Sequence, residues 1–306
     1  MNIGINGTGL VARASIDAIR RDALRAQSDG FSSYWLAEHP TGGFDALTVL
    51  SLVGLQVTDI ELGTAIVPTF PRHPMVLAGQ ALTTQSAIGN RLTLGIGLSH
   101  ASMMAQLGVP FERPIRHLID YLSILVPLLT EGKVDFKGQT LSCQAQVFCQ
   151  PEVPVPVVVA ALGSQALKVA GRMANGTTLA WVGPRTVKNH IKPGISEAAQ
   201  QAGRPSPRII ATLPVCVTDD EAGVRKRISK TLHMYASLPS YQAMFEREGV
   251  SEPGELALVG TESRVQDLLH GLAEAGVTDF AASEFTSGED ERRNTRKLLK
   301  TWGGSL

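Results

Sequence analysis

The chain has 306 residues with 28 Lys+Arg against 28 Asp+Glu, and 18% of its residues are charged, against about 25% in an average globular protein. That balance speaks against a nucleic-acid binder and against a polybasic membrane-surface protein. With 43% hydrophobic residues, the chain can bury one large core or two smaller ones, and intrinsic disorder is excluded. Its longest apolar stretch, residues 153–162, is interrupted by Pro154 and Pro156 and falls short of the roughly 20 residues that span a bilayer. The start, Met1-Asn2-Ile3-Gly4, lacks the basic and apolar regions of a signal peptide. The cysteines, Cys143, Cys149 and Cys216, are odd in number. A cytoplasmic protein without a disulfide framework is expected.

The first strand is read at Asn2–Asn6, followed by a glycine-rich loop and a helix whose apolar positions Ala14, Ile16, Ala18, Ile19 and Leu24 recur at helical spacing. A strand over 32–37, a helix over 45–57 and a strand over 60–66 come next. A helix over 74–88, with Pro74 suited to its first turn, leads to a strand over 91–97. These strands begin about 30 residues apart, as βαβ units require. A long amphipathic helix over 113–131 precedes Gly132-Lys133-Val134-Asp135-Phe136-Lys137-Gly138-Gln139, which reads as an exposed hairpin inserted after the fourth βα unit. The alternation resumes with a strand over 155–160, a helix Ser164–Met173, a strand over 177–181, a helix over 184–202 and a strand over 209–217. Residues 219–258 read as helical but too long for one crossover, so extra helices are expected before the eighth strand. A helix over 262–274, a strand over 277–283 and a basic helix over 290–300 complete the chain. Eight parallel βα units match a single α/β domain over 1–306, a (β/α)8 TIM barrel, whose usual size is about 250 residues plus insertions.

A doubly wound sheet competes, on one specific feature. Gly7-Thr8-Gly9-Leu10-Val11-Ala12 fits the dinucleotide pattern G-x-G-x-x-G/A directly after a strand, and Glu38 closes the next strand like a ribose-binding acid. Against it, the alternation runs on through the chain instead of handing over to a second domain. Polar features also collect where strands end, which is where barrel active sites lie.

The second strand ends in Tyr34-Trp35-Leu36-Ala37-Glu38-His39. A histidine titrates near neutrality and a nearby carboxylate can fix its tautomer, so His39 can donate a proton or hydrogen-bond a polar ring. The plainer reading is a solvated acid and histidine at a helix start. The third strand ends in Gly63-Thr64-Ala65-Ile66-Val67-Pro68, followed by Arg72-His73-Pro74. Small residues and proline there mark a bend where backbone can approach a ligand, or simply a proline-rich turn. The fourth strand ends in Gly95-Ile96-Gly97-Leu98-Ser99-His100, whose glycines allow close packing and whose polar residues equally suit an exposed loop. The fifth runs through Ala160-Ala161-Leu162-Gly163-Ser164 into a helix. Free amides at a helix start suit a phosphate, although Gly-Ser can equally serve as a helix cap. No metal-ligand spacing, G-x-S-x-G or Walker A loop occurs, and Cys143 and Cys149 read as packing residues.

Taken together, Tyr34 to His39, Gly63 to Pro74, Leu94-Gly95-Ile96-Gly97 and Ala160 to Ser164, followed by Ala170-Gly171-Arg172-Met173-Ala174-Asn175-Gly176, resemble the bacterial luciferase-like superfamily, in its branch that uses the deazaflavin coenzyme F420. The resemblance covers nearly the whole chain and implies a (β/α)8 barrel with the coenzyme ring over the C-terminal face. It implies a non-prolyl cis peptide at Ala65-Ile66 behind the ring, a phosphate held by backbone amides of Ala161, Leu162, Gly163 and Ser164, and further coenzyme contacts from Thr64, Gly97, Ser99 and Trp181. His39 is implied as the proton donor, with Glu38 orienting it where the family more often has Asp, and with His100 in reserve. Asn175 stands where the family commonly has Asp.

The activity implied is hydride transfer between reduced F420 and an activated C=C, C=N or C=O bond of a small-molecule or peptide substrate, in a homodimer without nucleic-acid or membrane partners. The alternatives are an FMN-dependent monooxygenase of the same superfamily, a non-catalytic flavin-binding barrel, and an NAD-dependent dehydrogenase.

Overall fold

The computed structural model describes residues 1–11, 15–148 and 152–303; Ala12, Ala14 and Cys149 of the sequence reading lie outside them. Strands β1 (Asn2–Asn6), β2 (Ser33–Leu36), β3 (Glu61–Thr64), β4 (Val67–Pro68) and β5 (Leu92–Gly97) precede a hairpin of β6 (Lys133–Lys137) and β7 (Ser142–Gln146). Then come β8 (Val157–Val159), β9 (Gly176–Ala180), β10 (Arg208–Thr212), β11 (Pro214–Val217), β12 (Leu258–Gly260) and β13 (Asp279–Glu284).

Eight of these close a parallel ring in the order β1-β2-β3-β5-β8-β9-β10-β13, and β13 returns to β1 with Asn2 opposite Asp279 and Ile5 opposite Ala282. The chain folds into a (β/α)8 barrel. Strands covered on both faces must be apolar along their length: every residue of β5 and of β8 is buried. Closure removes the doubly wound alternative, which needs an open sheet. Gly7 of the dinucleotide-like pattern instead serves packing, since a Cβ there would stand 1.9 Å from the Tyr34 hydroxyl.

Three elements differ from the sequence expectation. The hairpin continues past Gln139 into β7, with Lys133 opposite Gln146 and Lys137 opposite Ser142. Its second strand, Ser-Cys-Gln-Ala-Gln, holds no β-branched or aromatic residue and so carries little strand signal. The buried Asp120 carboxylate fixes the turn by accepting from the Gln139 and Thr140 amides at 2.8 and 2.7 Å. The expected seventh strand is split at Leu213 into β10, which stays in the ring, and β11, which pairs with β12 and with the end of β13. Finally, the expected helix over 184–202 contains a π-helical segment, Val187–Ile191, just before Pro193; proline offers no N–H to continue α-helical bonding.

β12 (Leu258–Gly260) begins at the last residue of the stretch read as helical and is not read as a strand, because so short an apolar run cannot be told from part of a helix by periodicity. The extra helices Glu221–Ala236 and Pro239–Glu248 do occur between β11 and β12.

Inside the ring, Trp35, Val158, Ile210 and Ala281 pack together. Trp35 is fully buried and its indole Nε1 donates to Ser33 Oγ at 2.8 Å. Gly63 makes room for it: a Cβ there would fall 2.2 Å from the indole ring. Below, at the strand N-termini, Arg208 spans the ring to Glu61 at 3.0 Å and Asp279 at 2.9 Å. Among the described residues no helix is long and apolar enough to cross a membrane.

Candidate active site

A cleft of about 1080 Å³ opens over the C-terminal ends of the ring strands. Its lining begins with Asn6 and the loop Gly7, Thr8 and Gly9 after β1, and continues with His39 after β2 and Ala65-Ile66 after β3. Ala160 after β8, Trp181 after β9, Thr212 on β10 and Ser283 on β13 complete the rim contributed by the strands. The extra helices add Arg227, Thr231, Leu232, Tyr235 and Tyr241.

The bulge after β3 is fixed from both sides. The Ala65 amide donates to Leu36 O at 2.7 Å and the Glu38 amide to Ile66 O at 2.9 Å, while the Thr69 amide donates to Gly97 O at 2.9 Å. The Ala65-Ile66 peptide is cis, as the resemblance implies. Behind it, a Cβ on Gly97 would press on Ile66 and Ala160 at 3.0 and 3.1 Å, and one on Gly95 would lie 1.9 Å from Thr64 O. The two glycines of β5 therefore let the bulge sit close against the strand. Thr64 is buried, its hydroxyl donating to Gly95 O and accepting from the Gly95 amide, each at 2.8 Å. Its side chain braces the bulge from within the wall.

His39 is exposed at the cleft, and its Nδ1 lies 3.2 Å from Thr41 Oγ1. No protein group among the described residues bonds its Nε2, which leaves that nitrogen for a ligand. Glu38 does not orient it. The Glu38 carboxylate instead takes Arg72 Nη2 at 2.9 Å and the Ala46 amide at 3.3 Å, and the same Arg72 nitrogen reaches Asp45 at 3.0 Å. Burial lifts the Glu38 carboxyl above its usual range against the pull of Arg72, with Asp45 adding to the rise. Successive residues leaving a strand point to opposite sides, so adjacency in sequence does not make Glu38 and His39 a pair. The orienting group is Thr41, a residue with no distinctive sequence signal.

His100 is held below its usual imidazole range by burial and then by the nearby charge of His39. Its ring lies 5.7 Å from Tyr241, which meets Tyr235 edge-on at 5.8 Å; Tyr235 in turn lies 5.5 Å from Trp181. Two helices outside the basic barrel pattern thus supply an aromatic wall that the sequence reading did not foresee.

Of the expected site residues, His39, Ala65, Ile66 and Trp181 line one cleft, whereas Glu38, Thr64, Gly97, Ser99 and Ala161 to Ser164 lie outside its lining. Ser99 has φ +63° and its hydroxyl faces Met103 Sδ at 3.7 Å. The segment after Ala160 is nonetheless well defined: His190 Nε2 lies 2.8 Å from Leu162 O, and the Ala161 amide reaches Thr177 Oγ1 at 3.4 Å. Gly163 caps the helix Ser164–Met173 without a side-chain bond, and the first amide returned along the helix is Leu167 to Gly163 O at 3.0 Å. The amides before it stand at an exposed helix start, and a Cβ on Gly163 would meet nothing within 4 Å. Asn175 is structural, its side chain accepting from the Val157 amide at 2.9 Å. Among the described residues no group of three His, Cys, Asp or Glu side chains could hold a metal.

A closed barrel with a large cleft at its strand C-termini, a braced backbone bulge in its wall and a free imidazole at its rim is the architecture of a barrel enzyme. The chain belongs to the luciferase-like monooxygenase family, whose model matches residues 4–279. It is 28% identical over 276 residues to an F420-dependent glucose-6-phosphate dehydrogenase of Kineococcus radiotolerans, covering 85% of this chain and 80% of that one. In fold it is similar to the coenzyme F420 dependent tetrahydromethanopterin reductase of Methanopyrus kandleri, with a TM-score of 0.83, 21% identity and coverage of 100% and 98% of the two chains. It is likewise similar to a type II Baeyer-Villiger monooxygenase of Pseudomonas putida in complex with FMN, with a TM-score of 0.74, 16% identity and coverage of 98% and 96%.

Proposed function

We propose that the protein is an F420-dependent oxidoreductase that transfers a hydride between the reduced deazaflavin and an activated C=C, C=N or C=O bond of a small organic or peptide substrate. One observation carries this reading. The Ala65-Ile66 bulge, His39 and Trp181 converge on a single cleft in a chain whose curated relative, aligned over 276 residues, is F420-dependent.

The residues present fit such a coenzyme. The bulge offers a flat apolar backing that Gly95 and Gly97 keep tight against β5, and the open space at Gly163 leaves the following helix amides accessible to a phosphate. Bound there, F420 supplies the carbon that carries the hydride. The protein's own part is positioning and proton supply. Hydride delivery to the β carbon of a polarised alkene leaves an enolate, and His39 Nε2 is the rim donor available to protonate it. Thr41 holds the other ring nitrogen, and with the Thr41 hydroxyl donating to Nδ1 it is Nε2 that carries the proton.

Parallel titration of the full chain with F420, FMN and NADPH tests the reading. Saturable F420 binding, with coenzyme oxidation on adding an acceptor, is the expected result. Tight FMN binding with oxygen-dependent turnover makes the protein a monooxygenase instead, and binding without turnover makes it a non-catalytic barrel.

A cytoplasmic homodimer belongs to the same proposal. Helices Ala46–Gly54 and Pro74–Ala87 carry no charged side chain, and Leu52 and Val76 on them and Leu55 at the end of the first are 47, 61 and 65% exposed. Bare apolar surface of this kind is expected to be covered by a partner. Light scattering should give twice the chain mass, and Leu55→Glu should halve it.

A further inference from the structure

The half of the cleft away from the Ala65-Ile66 bulge has a different chemistry. Thr212 ends β10, Ser283 and Glu284 end β13, and Thr286 and Ser287 come after it; the Glu284 carboxylate is already held by Arg296 at 2.7 Å. Arg227, from the helix Glu221–Ala236, and Arg292, from the helix Glu289–Gly303, line it as well. The two arginines differ in their commitments. Arg292 donates to the buried Asp22, which also holds Arg296 at 2.6 Å. The Arg227 carbonyl accepts from Thr231 Oγ1, but its guanidinium makes no hydrogen bond or ion pair among the described residues, and Nη2 is buried without a partner. Glu291 feels the Arg227 charge, but its oxygens are already occupied: the bond from the Ser287 amide, chiefly, and then those from Thr218 Oγ1 and the Ser287 hydroxyl hold its carboxyl below its usual range, with the Arg227 charge adding least.

A buried charged donor lacking an acceptor is costly, by about 1–3 kcal/mol or more, and native structures seldom leave one without a reason. Guanidinium is also the group best matched to planar or tetrahedral oxyanions. We propose that Arg227 anchors a carboxylate or phosphate group of the substrate, in a cleft also lined by the uncommitted hydroxyls of Ser283 and Thr286. The subsite rests on the reading of this cleft as the place where coenzyme and substrate meet. It is separate from the coenzyme's phosphate position, because β9 and β10 stand between β8, which leads to Gly163, and β13. The substrate is therefore an anionic small molecule held at one end by a residue that the eight-stranded barrel alone does not supply.

Calorimetric titration of the full chain with inorganic phosphate, and separately with acetate, tests the subsite in coenzyme-free and F420-saturated protein. Saturable binding of one of the two anions is expected in both states, and which anion binds identifies the substrate group. Arg227→Gln should weaken that binding by about tenfold or more while leaving F420 affinity unchanged and the thermal midpoint of the ligand-free protein no lower. Arg227→Lys, which keeps the charge but loses the two-pronged geometry, should fall between the two. Equal anion affinity in wild type and Arg227→Gln, or no saturable binding in wild type, overturns the proposal. So does weakened F420 binding with anion affinity intact, which makes Arg227 a coenzyme residue. Should Arg227→Gln fail to fold, wild-type anion affinity in Arg227→Lys overturns the two-pronged anchor. Arg227-dependent anion binding in a chain that takes no F420 keeps the subsite and removes only the coenzyme reading, and F420 binding with Arg227-independent anion affinity does the reverse.

Discussion

The two ends of the barrel are built from the same eight strands and do opposite things with their polar groups. At the N-terminal end, Arg208 is fully occupied: it reaches Glu61 on β3 and Asp279 on β13, and Asn2 on β1 bonds the same Asp279 at 3.2 Å. The guanidinium ties β10 to β3 and β13, Asp279 carries the link on to β1, and little is left over for a ligand. At the C-terminal end the polar groups are left incomplete. His39 Nε2 and the Arg227 guanidinium have no protein partner among the described residues, and backbone is exposed at the Gly163 helix start. Trp35, buried between the two ends, separates the satisfied end from the unsatisfied one. Closed polar networks stabilise, whereas groups left open at the mouth of a cleft are available to bind and react.

Substitutions at the two ends should therefore separate activity from stability, and the largest effect is expected at the open end. Replacing His39 by Asn should lower the single-turnover rate by roughly 10²–10⁴-fold, the range for general acid catalysis, with thermal midpoint and coenzyme affinity retained. Single-turnover measurement at saturating F420 checks this. Recovery of most of the rate at saturation would reassign His39 to holding the coenzyme ring.

At the closed end, Asp279→Asn should cost about 2–4 kcal/mol of stability, because it leaves Arg208 partly unpaired, without changing turnover per folded molecule. Burial opposes ionisation of Asp279, but the bonds from Arg208 outweigh it and hold the carboxyl below its usual range. A group depressed in the folded state contributes stability that is complete above its unfolded pKa and is lost as pH falls through its folded pKa. The stability gap between wild type and Asp279→Asn should thus be full at neutral pH and shrink in acid, below the ordinary carboxylate range. Denaturant titrations at neutral and acidic pH measure both points, and a gap constant with pH would detach Asp279 from the clamp.

Between the ends, Gly63→Ala should cost about 1–3 kcal/mol by forcing Trp35 aside, and the displaced indole should also perturb the cleft floor. Thermal melts and F420 titration together would show both effects; a fall in stability alone would mean that Trp35 merely fills space. The smallest effect is expected at the helix start. Gly163→Val meets only open space in the protein, so the fold should be unaffected while coenzyme affinity drops by about tenfold. Unchanged affinity in that variant would remove the phosphate assignment.

Much of this organisation was legible along the chain. The eight ring strands, the inserted hairpin and the extra helices each left a period, a length or a proline in the sequence, because local geometry and burial act on short segments. The residues after β2 and β3 could be singled out because barrel chemistry gathers where strands end. β12 and β7 left no comparable trace: one is only three residues long, and the other is polar and held chiefly by the turn that Asp120 organises.

The sequence by itself determined the barrel, its family resemblance and the presence of His39 and the Ala65-Ile66 bulge at strand ends, since repeated βα units and small residues at bends are local signals. Tertiary structure alone decided which groups were partnered. Glu38 turned to Arg72 while its neighbour His39 turned to Thr41, and helices far along the chain brought Tyr235, Tyr241 and Arg227 over the cleft. Hydrogen bonding and charge act through space between residues that the chain order separates, so whether a polar group is satisfied or left open depends on closure of the whole ring.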